Sequence, residues 1–145
     1  MNGFPIDIVT ISHERRSGGS EIARWVGERL GWPVLDPATL VKRAARRLGV
    51  DPALVAPLDE HPPSLLERVG TGLHFVAPEA PFDLAPDFPT ADDVAAAEAS
   101  EVREAAGTPP LVIVGHGAQC VLRGWEGVLH VQVVASLAER VTREC

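Results

Sequence analysis

Ile6-Asp-Ile-Val-Thr-Ile-Ser12-His13-Glu-Arg15-Arg16-Ser17-Gly18-Gly19-Ser20-Glu21-Ile22 is the stretch whose reading decides the fold. Its first half is a short apolar run rich in β-branched residues, bounded by Pro5 and a polar turn, and predicts a buried strand. The turn is tightest at Ser17 to Ser20. A helix follows to Leu30, with Ile22, Val26 and Leu30 on one face, Trp25 beside them and Gly31 as its stop.

The same alternation continues along the chain. Residues 33–36 form a second short strand that ends in an acid, Asp36, and Pro37 opens a helix carrying Leu40, Val41, Ala44, Ala45 and Leu48. Asp51 caps a short helix over 52–56. Thr90 or Asp92 opens an Ala/Glu-rich helix that Gly107 stops. Strands are predicted over 110–115 and 128–135, a short helix over 116–123 and the start of another at 137. Apolar strands alternating with helices predict an α/β fold, a three-layer parallel sheet covered on both faces. Ligands bind outside the carboxyl ends of such strands. The loops 12–20, 36–37, 115–117 and 135–137 are therefore expected to share one crevice.

Composition narrows the class further. The chain has 145 residues, 46% hydrophobic and 23% charged, which suits one domain with its own core. A net charge of −7 argues against a nucleic-acid binder. No apolar run approaches membrane-spanning length and the N-terminus lacks a secretory pattern, so a cytoplasmic protein without membrane attachment is expected. Cys120 and Cys145 make no disulfide framework. Charge is uneven: residues 51–108 hold twelve acidic and two basic side chains, whereas residues 1–50 hold five and eight. Eight of the thirteen prolines lie between Pro52 and Pro89, a density that helices and central strands exclude. The expected organisation is a core of 1–56 and 109–145 with a helical, Pro-rich acidic insertion at 57–108. A solvated loop with one helix is the alternative for 70–90.

Chemistry concentrates in the first turn. Glycines let successive backbone N–H groups form a concave nest, and a helix N-terminus adds partial positive charge, so both favour phosphate. Ser17 and Ser20 bring hydroxyls, and Arg15 and Arg16 bring guanidinium forks. No lysine follows Gly18 or Gly19, so the pattern G-x-x-x-x-G-K-[ST] is absent. On its residues alone the segment reads as a phosphate cradle or as a plain strand–helix turn.

The stretch IVTISHERRSGGSEIARWVGERLGWPVLDPATLVKRAARRLGV resembles the opening of the cytidylate kinase-like family of P-loop nucleotide kinases, which reads ITISR, then GSGG-x-EIA, a helix, and a strand ending in Asp. PLVIVGHGAQCVLRGWEGVLHVQVVASLAERV resembles the family's later block. The resemblance implies a P-loop NTPase-like fold using ATP and Mg²⁺, with Ser17, Gly18, Gly19, Ser20 and Glu21 as the phosphate loop. It implies that Asp36 and His116 border the acceptor nucleotide, and that Arg15, Arg16 and Arg140 offset charge during phosphoryl transfer to a nucleoside monophosphate such as CMP. Members of the family usually continue past the fourth strand into an Arg-bearing lid and a fifth strand, which this sequence is expected to lack. Three positions depart from the family: His13 and His116 stand where it has Arg, and Arg16 where it has Gly. Histidine charge depends on protonation near neutral pH. A catalytically weak nucleotide-sensing or interaction module is therefore the alternative function.

Other features read as structure. Gly115-His116-Gly117-Ala-Gln-Cys120 nearly matches a dinucleotide fingerprint, but no ribose-binding acid ends the next strand. The histidines and cysteines lack metal-ligand spacing, so no metal site is expected. Cys120 reads as a small core residue, His130 as a half-buried strand residue, and Trp25, Trp32 and Trp125 as packing anchors. Lys42, Arg43, Arg46 and Arg47 form a solvated basic face or a patch for an acidic partner.

Overall fold

A computed structural model describes residues 5–60 and 89–143, with the side chains of 57–60 left aside. Its elements run β1 (Ile8–His13), α1 (Gly19–Leu30), β2 (Val34–Leu35), α2 (Pro37–Leu48), α3 (Pro52–Glu60), α4 (Ala91–Ala106), β3 (Leu111–Val114), α5 (Ala118–Val121), β4 (Val128–Val133) and α6 (Leu137–Thr142). The four strands form one parallel sheet in the order β2-β3-β1-β4. β1 is central. Ile8 pairs with Leu111 on one side and Val128 on the other, and the register holds to Ile11 against Val114 and to His13 against Val133.

Period-two alternation sorts β1 between two layers. Val9 and Ile11 join Val112, Val114 and Ala23 on the face covered by α1, with Val26, Trp32, Val34, Val131 and Val133 packed around them. Ile8 faces the other way, with Leu111, Ile113 and Leu35, beneath Leu40 of α2, Val102 and Ala106 of α4, and Ala118 and Leu122 at α5. A smaller cluster of Ala45, Val55 and Val94 ties α2, α3 and α4 together. The central strands β1 and β3 are thus covered on both faces, as their continuous apolar runs predicted, whereas the residues of edge strand β4 are half-buried or exposed.

α1 buries a different stripe from the one its large residues suggest. Gly19, Ala23 and Gly27 face the sheet, while Leu30 is 48% and Trp25 59% exposed. The helix lies too close for larger groups: a Cβ on Gly27 would stand 2.4 Å from Val34 Cγ2. Gly31, at φ 68, ends the helix by donating its N–H back to Glu28. Trp125 is exposed as well, so of the three tryptophans only Trp32 serves as a packing anchor. Cys120 is exposed rather than core, because the helix after β3 is four residues long and turns it outward. His130 is also largely exposed, although its Nδ1 lies 2.7 Å from the buried Thr10 Oγ1.

The acidic stretch is not separate from the core at its carboxyl end. α4 places Val94, Ala97, Glu98, Glu101 and Val102 on one buried face, and Val102 and Ala106 belong to the central cluster. Residues 61–88, the remainder of the expected insertion, lie outside the described residues. Thr90 and Asp93 form a capping box that starts α4, and the Thr90 hydroxyl and N–H hold the Asp93 carboxyl below its ordinary range. A lowered folded-state value makes this cap fully effective above the ordinary carboxylate range and lost as pH falls below it. Arg47 reaches across from α2 to Glu101 (2.8 Å) and Glu104, joining the basic face to α4. Among the described residues no helix is long and apolar enough to cross a membrane.

If α4 belongs to the core, Val102→Ala should destabilise the whole molecule by about 2 kcal/mol, from two lost methyls and the cavity left behind. Urea unfolding followed by circular dichroism should then show one cooperative transition at a lower midpoint.

Candidate functional site

The carboxyl ends of β1, β2 and β3 open onto a cleft of about 350 Å³ lined by Ser12, His13, Pro37, Gly115, His116 and neighbouring residues of the β3 turn. The loop after β1 bends through two left-handed residues, Arg16 (φ 62) and Gly18 (φ 87), and Ser17 N–H donates to Glu14 O at 3.0 Å. Gly18 is the N-cap of α1 and offers no side-chain cap, so the first-turn N–H groups have no side-chain acceptor. The Ser17 hydroxyl is buried with no hydrogen-bond partner among the described residues. A concave backbone turn, an uncapped helix start and an orphaned hydroxyl together fit an anion such as a polyphosphate.

The absence of a loop lysine has a steric reason. A Cβ on Gly19 would fall 2.2 Å from His13 Cβ and 2.3 Å from its Cγ. Gly19 has helical backbone, so it is glycine for space and not for conformation. His13, on the α1 side of β1, occupies the volume where a side chain at residue 19 would begin. Its Nδ1 lies 3.2 Å from Glu14 O. Any longer residue at position 19 competes with this imidazole.

The segment after β4 brings two further cations to the loop. Arg143, just past α6, donates from Nη1 to Arg16 O at 3.2 Å and lies against Gly18, where a Cβ would meet that nitrogen at 2.8 Å. Arg140 Nε stands 3.5 Å from Glu14 Oε2, close enough for charge attraction but without hydrogen-bond alignment. Ala135 N–H and the backbone of Val133 also meet Glu14. The loop after β1 and the segment after β4 therefore come together, as expected for 12–20 and 135–137.

The expected residues divide into three groups. Ser17, Gly18 and Gly19 form the turn itself, and Ser20 and Glu21 stand exposed in the first helical turn. His116 lines the cleft. Asp36 instead caps α2, accepting Thr39 N–H at 2.7 Å, with its neighbour Pro37 in the cleft wall. Arg15 is exposed, and Arg140 is engaged with Glu14. Sequence reasoning missed Arg143, Glu14 and Glu98. Glu98 was visible in principle, since with Val94, Ala97, Glu101 and Val102 it falls on the i, i+3, i+4, i+7 stripe that faces the core. Among the described residues no three His, Cys, Asp or Glu side chains gather as a metal centre.

A four-stranded parallel sheet with a nest between its central strand and the next helix is the architecture of an α/β, P-loop-like fold. The chain belongs to the cytidylate kinase-like family, whose sequence profile matches residues 8–145. Its fold is similar to three solved structures. One is an uncharacterized protein from Eubacterium ventriosum ATCC 27560 (18% identity, TM-score 0.54, covering 94% of this chain and 58% of that one). The second is shikimate kinase from Acinetobacter baumannii in complex with shikimate (12%, TM-score 0.52, 97% and 63%). The third is TT1252 from Thermus thermophilus (26%, TM-score 0.50, 96% and 70%). The chain thus spans less than two thirds of the first two. No functionally curated protein matches it in sequence.

The Gly19–His13 contact yields a double-mutant test. Gly19→Ala should cost about 1–3 kcal/mol by overpacking. In a His13→Gly background, which removes the β-carbon that stands 2.2 Å away, the same change should cost less than about 0.5 kcal/mol. Equal costs in both backgrounds, measured by urea unfolding, would show that the His13 side chain is not the obstacle.

Proposed function

We propose that the chain carries out ATP-dependent phosphoryl transfer to a nucleoside monophosphate such as CMP. The observation that carries this reading is the buried, unpartnered Ser17 hydroxyl inside an uncapped loop–helix nest. Family membership supports a nucleotide kinase-like activity. In this reading the backbone N–H groups of residues 17–20 and the Ser17 hydroxyl cradle the triphosphate, with Arg15 and Arg16 beside them. Arg140 and Arg143 bring positive charge from the far side of the loop, which phosphoryl transfer requires in the absence of a loop lysine. The acceptor lies in the cleft bordered by Asp36, Pro37 and His116.

Ser20 and Glu21, exposed at the start of α1, are the oxygen donors suited to a Mg²⁺ ion or its waters. When bound, such an ion neutralises charge on the transferred group. Arg143 orients the loop by tying Arg16 O to the segment after β4, and His13 fills the space under Gly19 and keeps water out of it. A cytoplasmic setting suits this reading. One observation favours the second reading, nucleotide binding without turnover: the His13 ring bars a lysine from position 19, leaving arginine and histidine as the side-chain cations near the loop.

ATP consumption with a panel of nucleoside monophosphates separates the two. The kinase reading expects turnover stimulated by at least one monophosphate and reduced at least about tenfold in Arg143→Ala, as loss of a charged contact to the transition state would do. ATP binding by calorimetry without turnover would leave the sensing role. No binding at all would remove both.

A further inference from the structure

His116 and Glu98 form a buried pair that the roles above leave unexplained. Their side chains are only 4% and 8% exposed, and His116 Nδ1 lies 3.2 Å from Glu98 Oε2. The other carboxylate oxygen, Oε1, is buried without a hydrogen-bond partner among the described residues. Burying an unsatisfied carboxylate is unfavourable, and an imidazolium beside it is the compensation at hand. The backbone at His116 is also unusual: φ is 53, between Gly115 at 70 and Gly117 at 63. Three successive left-handed residues aim this turn at the cleft, and a β-carbon is tolerated in the middle one despite the strain.

The position is as telling as the pairing. The turn ends β3 at the sheet's carboxyl edge and lines the cleft with Ser12, His13 and Pro37. Glu98 reaches the His116 Nδ1 from α4. His13 ends β1 in the same cleft, Asp36 caps α2 at its border, and α5 contributes the neutral Gln119.

We propose that Glu98 is a positioning residue that holds His116 as an imidazolium, making the β3 turn a proton-dependent binding group for the phosphate monoester of the acceptor. This inference rests on the acceptor reading of the cleft given above. A neighbouring carboxylate favours the charged imidazole. His116 then acts as a cation where a guanidinium would be permanently charged, and the site releases anions as pH rises through the imidazole's titration.

Sulfate is the suitable probe, because its charge does not change near neutral pH. Followed by the amide shifts of Gly115 and Gly117, sulfate binding should weaken at least about tenfold between about pH 6 and about pH 8.5. In His116→Arg, which cannot lose its charge, the change should be less than about threefold. The His116 ring, titrated by NMR in the unaltered protein, should have a midpoint above about 7, and Glu98→Gln should lower it by at least about one pH unit. If Glu98→Gln does not fold, the unaltered protein decides: a His116 midpoint below about 6 overturns the proposal. Sulfate and CMP binding that is indifferent to pH also overturns it while leaving the acceptor reading intact. No binding of either anion at any pH overturns both.

Discussion

The close approach of α1 to the sheet is the constraint from which the site follows. Gly19, Ala23 and Gly27 present almost no side chain to β1 and β2, so the helix axis comes in against Val34 and His13. Short separation is a packing gain, since interdigitated interiors leave no space for water. It also places the start of α1 directly under the turn from β1. The uncapped N–H groups and the buried Ser17 hydroxyl are then held by the packing of α1 together with the loop contacts of Glu14 and Arg143. A larger residue at 19 or 27 would push the helix outward and open the nest.

Charge around the site is arranged from several distant segments. Arg143 and Arg140 arrive from beyond β4 to touch the loop after β1, through Arg16 O and Glu14. Glu98 arrives from α4 to meet His116 at the end of β3. Arg47 crosses from α2 to Glu101 and Glu104 and joins α2 to α4. The last of these is a surface contact with a partly buried partner, and its value lies in orientation more than in stability. The first two lie at the ligand-facing edge. Arginines shared with backbone and carboxylate groups lie at that edge together with His13 and His116, and no loop lysine stands among them.

Much of the architecture was legible because strands and helices announce themselves by period. Ile8–Val–Thr–Ile11 and Leu111–Val114 read as buried strands from continuous apolar residues, and Gly31 and Gly49 end helices as their conformational freedom suggests. The turn at Ser17 to Ser20 was recognisable by its glycines and its place between strand and helix. What was not legible is where contact depends on the absence of side chains. Trp25 and Leu30 looked like the buried face of α1 and are exposed, because small residues had taken that face. Asp36 looked like a site acid and is first of all a helix cap. Glu98 lay in a run that composition marks as solvated, although its helical position put it inside.

By itself the sequence determined the class of fold, the order of strands and helices, and the turn that gathers backbone N–H groups, since these depend on local period and on glycine. Only the tertiary structure decided which charges share the site. Arg143 and Arg16 are 127 residues apart, and no local pattern brings them together; parallel pairing of β4 with β1 does. The same is true of Glu98 and His116, which meet because α4 packs over the end of β3. Hydrophobic period is a property of neighbours in the chain, whereas charge pairing across a sheet is a property of the register that folding imposes.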